Sequence, residues 1–344
     1  MNDLNNAGNG EKKKDARIEL IRIIASFFVV GLHTINADNS TAESILYQLC
    51  GLAVPLFMVT SGYFLLNRGP ISFQYVSIKV KKLLRIILIW GIVAVLYRFL
   101  RESLTEGVFK LQVFSEYPLE VVKPLFQKGF FWQFWYLWAL VLIYLLLPLI
   151  SSQCSNNRSL LIFFGTGCFV CGLVHLLSVI ARRPLMLLIP QTFRIWTWMT
   201  YFLLGGLLNR FSEDIKRGLW LKIVCSFILL VAALVERHFL VQYYGVYFAE
   251  IFYDDPLTVA CVASVFVFVR SIKLARGGIA IFRASGLTFG IYIVHLLVIN
   301  ILKDLSSVAE MDCSVIYWWL VYCISFLSVK MLSCIPFIKN TLTL

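Results

Sequence analysis

Apolar runs of about twenty residues recur along this chain from end to end, which limits it to a bundle of membrane-spanning helices. Backbone groups in hydrocarbon must satisfy one another, so only helices and closed barrels cross a bilayer. The runs here are continuous instead of alternating, which excludes barrel strands. Ten candidate helices fall near residues 17–36, 44–66, 79–100, 131–150, 159–180, 194–210, 219–236, 257–272, 286–303 and 314–335. The 344 residues are 60% hydrophobic with a mean hydropathy of +0.81, far from the balance of a soluble domain.

Charge sets the orientation. With the N-terminus cytoplasmic and sides alternating, the inner segments hold 21 Lys/Arg against 6 Asp/Glu, and the outer ones 10 against 13. This is the positive-inside asymmetry, and an even number of spans puts both termini in the cytoplasm. The expected fold is therefore all-α: an integral membrane bundle of about ten transmembrane helices. Its net charge of +12 reflects topology, so no nucleic-acid partner is expected. Residues 1–16 are polar and read as a disordered cytoplasmic lead, 17–338 as one multi-pass membrane domain, and 339–344 as a short cytoplasmic tail. The first apolar run lacks a small-residue cleavage site, so it reads as an uncleaved span.

That first run carries Glu19, Arg22 and His33. Ionisable groups at membrane depth are costly and persist where they pair or face a hydrated cavity. On a helix Arg22 and His33 lie roughly 16 Å apart along the axis and within about 20° of one face. Ser26 and Val29 fall between them. One helix thus presents a cation near its inner end and an imidazole about three turns deeper, both expected to face one lumen. Glu19, three residues before Arg22, can pair with it.

Other signals are weaker. Pro55 and Ser61-Gly62 in the second run either kink the helix or allow close packing. Lys79, Lys81, Lys82 and Arg85 crowd the inner start of the third, as topology alone would place them, although a polyphosphorylated ligand is the functional alternative. FFWQFWYLWAL opens the fourth and reads by default as an interfacial aromatic belt. Thr288, Tyr292 and His295 form a polar stripe at i, i+4, i+7 near the end of the chain. The 101–130 outer segment mixes charges with Val108, Phe109, Leu111, Val113 and Phe114, so part of it is expected at the interface or dipping inward. Cys168-x-x-Cys171 lies inside an apolar run without a second ligand pair, so no metal site is expected. Asp254-Asp255 reads as a solvated loop, and His175 and His238, near or beyond the outer ends of their segments, receive no role.

At these residues the chain resembles the acyltransferase family 3 membrane proteins, which acylate cell-surface carbohydrates. The resemblance runs nearly end to end. It includes an Arg-x10-His element (Arg22, His33) with Glu19 before it, a Pro-Leu-Phe-x-x-x-Ser-Gly-Tyr segment (Pro55 to Tyr63), Trp135-Tyr136-Leu137, and Gly290-Ile291-Tyr292-x-x-His295. Lys82-x-x-Arg85 stands where the family has Arg-x-x-Arg, and Gln133 where His often precedes the Trp-Tyr-Leu segment. The resemblance implies a multi-pass protein of the bacterial cytoplasmic membrane. It implies transfer of an acyl group, expected to be acetyl from cytosolic acetyl-CoA, to a hydroxyl of a surface or lipid-linked carbohydrate. No permanently bound cofactor is implied; acyl-CoA is the donor substrate. Lys82 and Arg85 would hold CoA phosphates, with Arg22 and Ser61 orienting the donor. His33 would be the general base and Glu19 the partner of Arg22, while Tyr292 and His295 would stabilise the oxyanion or order the acceptor. A transporter or flippase for a polysaccharide or lipid-linked sugar is the alternative, since intramembrane charge suits it equally.

Overall fold

The structure, a computed structural model, describes residues 15–107, 109–211, 218–272, 274, 278–305 and 314–343. Val108 and most of the N-terminal lead lie outside them. The described residues form helices and no strand: α1 (Ala16–Thr34), α2 (Thr41–Cys50), α3 (Ala53–Leu65), α4 (Phe73–Glu106), α5 (Tyr117–Val122), α6 (Trp135–Gln153) and α7 (Asn157–Ile180). They continue with α8 (Ile195–Arg210), α9 (Leu219–Tyr244), α10 (Pro256–Ser271), α11 (Gly278–Ser285), α12 (Thr288–Leu305), α13 (Ser314–Leu332) and α14 (Pro336–Lys339). Several of the helices start on side-chain caps, as N-terminal amides need acceptors. Ser40, Ser72 and Asn156 accept from the backbone three residues on, and Gly107 and Gly245 close α4 and α9 with left-handed φ of 69° and 64°.

A helix lies at each of the ten predicted positions. Seven elements among the described residues are long and apolar enough to cross a membrane, the α2–α3 pair counting as one. The others are α1, which carries Arg17, Glu19 and Arg22, and the 16-residue α8 and α10. A 16-residue helix spans about 24 Å, less than the usual hydrocarbon thickness.

The first helix sits at the centre, packed against α3, α10, α11, α12 and α13. Its Ile18, Ile21, Ala25, Val29 and Val30 are buried on that account. The tightest seam joins α3 to α8. A Cβ built on Gly62 would lie 1.8 Å from the Phe202 carbonyl oxygen, and one on Gly205 2.0 Å from that of Val59. Ser61-Gly62 therefore serves close packing, not a kink. The break in the 44–66 run falls earlier, at Gly51–Leu52, where Gly51 lies against Ala249. Pro55 is the third residue of α3, a position whose N–H has no intrahelical acceptor to lose. By contrast α7 and α9 lie at the periphery, with rows of exposed Leu, Ile, Val and Phe suited to lipid.

Three sequence expectations change. The FFWQFWYLWAL aromatics are largely core: Phe131, Phe134, Trp135 and Tyr136 are buried, and Trp135 packs on Trp198 with ring centroids 5.2 Å apart. Asp254-Asp255 is not a solvated loop. Both residues are buried: Asp255 caps α10, accepting from the Leu257 and Thr258 amides at 2.8 and 2.9 Å, and Asp254 accepts from Thr197 and Trp196. His238 lies within its helix, because α9 continues to Tyr244.

The 101–130 segment packs back along α4. After α4 it turns back through Leu111–Glu116 and α5, and the Tyr117 hydroxyl donates to the Leu88 carbonyl at 3.1 Å. Val121 fills the space above Gly91. The buried Glu120 carboxylate ties the segment down, accepting from Lys123 at 2.7 Å, Arg98 at 3.2 Å and the Phe130 amide at 3.1 Å.

Candidate active site

Two cavities flank the middle of the bundle. The larger, about 1090 Å³, is lined by Arg22 and Glu19 of α1, Ser61 of α3, Arg68, Lys79 of α4, Tyr136 of α6 and Thr288 and Tyr292 of α12. The Arg22 guanidinium donates to Glu19 at 3.0 Å, the pairing that i, i+3 spacing predicts. Asp15 also faces this space. Burial would raise its carboxyl, but hydrogen bonds from Arg17 hold it below the usual carboxylate range. Three cations against two carboxylates leave this cavity net positive.

The smaller cavity, about 380 Å³, is lined by His33 of α1, Phe130, Trp132, and Leu296, Asn300 and Lys303 of α12. His33 and Arg22 thus open into different spaces, not the one lumen expected. The helix face between them is closed by packing: Ser26 is buried and bonded to the Ile23 carbonyl, and Val29 is buried.

A group of side chains separates the cavities. Tyr292 lines the larger one, while the fully buried His295, one turn along α12, brings its ring 4.9 Å from that of His33. Trp132 stands edge-on to His33 at 4.8 Å. The first and last sequence motifs are therefore neighbours in space. Their hydrogen bonds narrow the chemistry. The Tyr292 hydroxyl donates to the Gln133 carbonyl at 2.5 Å, so it has no proton left for an oxyanion. His295 Nδ1 lies 3.1 Å from the Ile291 carbonyl, which requires the proton on that nitrogen. Its Nε2 is then a lone-pair acceptor, buried and without a partner. Leaving such a group unpaired costs about 1–3 kcal/mol, and functional sites are where that cost is tolerated. The Gln133 side-chain amide is buried with neither polar atom partnered.

Of the expected donor-binding residues, Ser61 lines the larger cavity, with its hydroxyl bonded to the Phe57 carbonyl. Lys82 and Arg85 do not line it; Arg85 is exposed about 120° around α4 from Lys79. Arg68 and Lys79 occupy the place expected for that pair. Lys79 stood among the basic residues of the sequence, but Arg68 precedes a turn whose return toward α3 is a tertiary fact. Trp132, Asn300 and Lys303 were also missed, the first because an aromatic run beside a span looks like a belt. Cys168 and Cys171 carry free thiols.

A family model described as an acyltransferase domain, that of acyltransferase family 3, matches residues 15–335. A protein of Enterococcus faecalis named amino-acid racemase is 26% identical over 334 residues, covering 92% of this chain and 45% of the relative. Another of the same name and organism is 24% identical over 238 residues, covering 65% and 32%. The chain spans less than half the length of these curated relatives. No solved structure matches.

Proposed function

Because the chain belongs to acyltransferase family 3, a family of membrane acyltransferases, we propose that it moves an acyl group, acetyl in the first instance, from cytosolic acyl-CoA to a hydroxyl of a surface or lipid-linked carbohydrate. The observation that carries this reading is the His33–His295 pair between a cationic cavity and a small aromatic one. The reading includes ten membrane crossings with both termini in the cytoplasm of a bacterial cell. Charge asymmetry supports that orientation, and Arg68 and Lys79 then line the inner cavity while Lys303 lines the outer one.

Each residue has a task under this reading. Arg68, Lys79 and Arg22 bind the phosphates and orient the donor, with Glu19 holding Arg22 in place. The acyl-pantetheine arm runs along Tyr136 and Tyr292 toward the wall between the cavities. The acceptor enters the outer cavity, its ring on Trp132 and its hydroxyl near His33. His33 takes the hydroxyl proton as the oxygen attacks the thioester carbonyl; the C–S bond then breaks, and the imidazolium returns the proton to the CoA thiolate. His295 positions rather than donates, its ring fixed by the Ile291 carbonyl and packed 4.9 Å from that of His33. Tyr292 braces the loop carrying Trp132 through Gln133.

The Enterococcus faecalis relatives are named for racemisation, but more than half of each lies outside the matched stretch. Purified protein with labelled acetyl-CoA tests the proposal. Thioester cleavage with label transferred to glycan is expected, and it should disappear in His33→Ala and fall in Arg22→Ala at equal membrane abundance. Glycan acylation at wild-type level in both variants sinks this active site, and sugar movement without thioester cleavage favours a transporter.

A further inference from the structure

Away from both cavities, at the junction of α7, α9 and α10, stands a cluster that acyl transfer does not use. His175, Glu236 and Asp255 each bring one ligand atom within 4.8 Å of the others. His175 Nε2 lies 3.8 Å from Glu236 Oε1, and the Glu236 and Asp255 carboxylates contact each other directly. We propose that these three side chains bind one divalent cation of the zinc type, joining the three helices.

Charge balance is the first support. Two carboxylates in contact repel unless something positive lies between them. Arg237, next to Glu236, offsets part of this repulsion from a distance, but its guanidinium donates to the Gln48 carbonyl at 2.5 Å and the Thr258 hydroxyl at 3.0 Å and not to either carboxylate. Glu236 Oε2 is enclosed and has no partner. The surroundings make this costly, since Val235 and Phe239 of α9 and Leu176 and Leu177 of α7 present an exposed apolar surface, not a watery one.

Preorganisation is the second support. Asp255 is buried and its side chain is held in place by two backbone amides and the Thr258 hydroxyl, the kind of outer contact that fixes a metal ligand. Its Oδ1 accepts a single hydrogen bond and keeps a lone pair free. One imidazole and two carboxylates suit Zn²⁺ and leave a fourth position for water. The three ligands come from separate helices, so no sequence spacing announces them.

The test uses the tag-free full chain in nanodiscs, stripped with chelator and titrated with Zn²⁺ alone, then with Mg²⁺ as a control. Calorimetry should show one Zn²⁺ per chain and the unfolding midpoint should rise, with Mg²⁺ giving neither. Co²⁺ should give the visible absorption of a four- or five-coordinate centre. His175→Ala and Glu236→Gln should each weaken Zn²⁺ binding at least tenfold while keeping the wild-type size-exclusion profile. Absence of saturable binding, or binding unchanged in both variants, overturns the proposal. So does a Glu236→Gln chain that gains stability while the wild type ignores Zn²⁺, which would mean the carboxylates share a proton.

Discussion

The two cavities differ in almost every physical respect although a single layer of side chains divides them. The larger is roughly three times the volume of the smaller and carries Arg22, Arg68 and Lys79 against Asp15 and Glu19. The smaller has Lys303 as its charged lining residue and otherwise offers Trp132, Phe130, Asn300 and His33. A wide cationic space suits a polyphosphorylated ligand held by charge; a narrow aromatic one suits a ring held by stacking and hydrogen bonds. Under the proposed function, recognition of two unlike substrates is divided between the spaces, leaving only the reacting atoms to meet at the wall.

The comparison can be broken at the wall itself. His33→Ala should lower acyl transfer about 10²–10⁴-fold while leaving acyl-CoA binding intact, since it removes a proton acceptor and no phosphate ligand; single-turnover kinetics alongside equilibrium binding separates the two. A loss of acyl-CoA affinity in this variant would mean that the cavities are not distinct in function. Next in size, Arg68→Ala with Lys79→Ala should raise the KM for acyl-CoA about 10–100-fold, as two solvent-screened phosphate contacts together contribute on the order of 1.5–3 kcal/mol. The matching Lys82→Ala, Arg85→Ala chain should shift it far less, and the reverse order would restore the assignment made from sequence.

Smaller effects sharpen the contrast. Trp132→Ala should raise the KM for the acceptor about two- to tenfold and leave that for acyl-CoA unchanged, as expected for an aromatic contact of about 0.5–1.5 kcal/mol. Raising ionic strength should weaken donor binding through screening and leave acceptor binding almost unmoved, which steady-state titrations at several salt concentrations would read.

Much of this was legible in the sequence where physics makes a residue conspicuous. Arg22 and His33 stand out because charge at membrane depth is costly, and Tyr292 and His295 because a polar stripe interrupts an apolar helix. Each of the ten apolar runs coincides with helix in the structure. What sequence could not supply was the way packing divides a face. Ser26 and Val29 share the stripe with Arg22 and His33, yet by filling the space between them they turn one expected lumen into two cavities. Asp254 and Asp255 were misread for a similar reason: an acidic pair before proline looks solvated until Thr197, Trp196 and the start of α10 close around it. Arg68 needed the return of its turn, and His175 and Glu236 needed two distant helices to be brought side by side.

The Gly62–Gly205 seam has a mechanical consequence. Where backbones touch there is no soft layer of side chains to deform, so α3 cannot slide along α8 without driving carbonyl oxygens into the neighbouring chain. The pair behaves as one stiff plate, and it lines the larger cavity through Ser61 and Asn209. Lys79 reaches the same cavity from α4. That helix shows much of its flank to lipid and is tied to the bundle chiefly by α6 and the 101–130 segment. The larger cavity thus has one wall that cannot give, and the position of two glycines decides which wall it is.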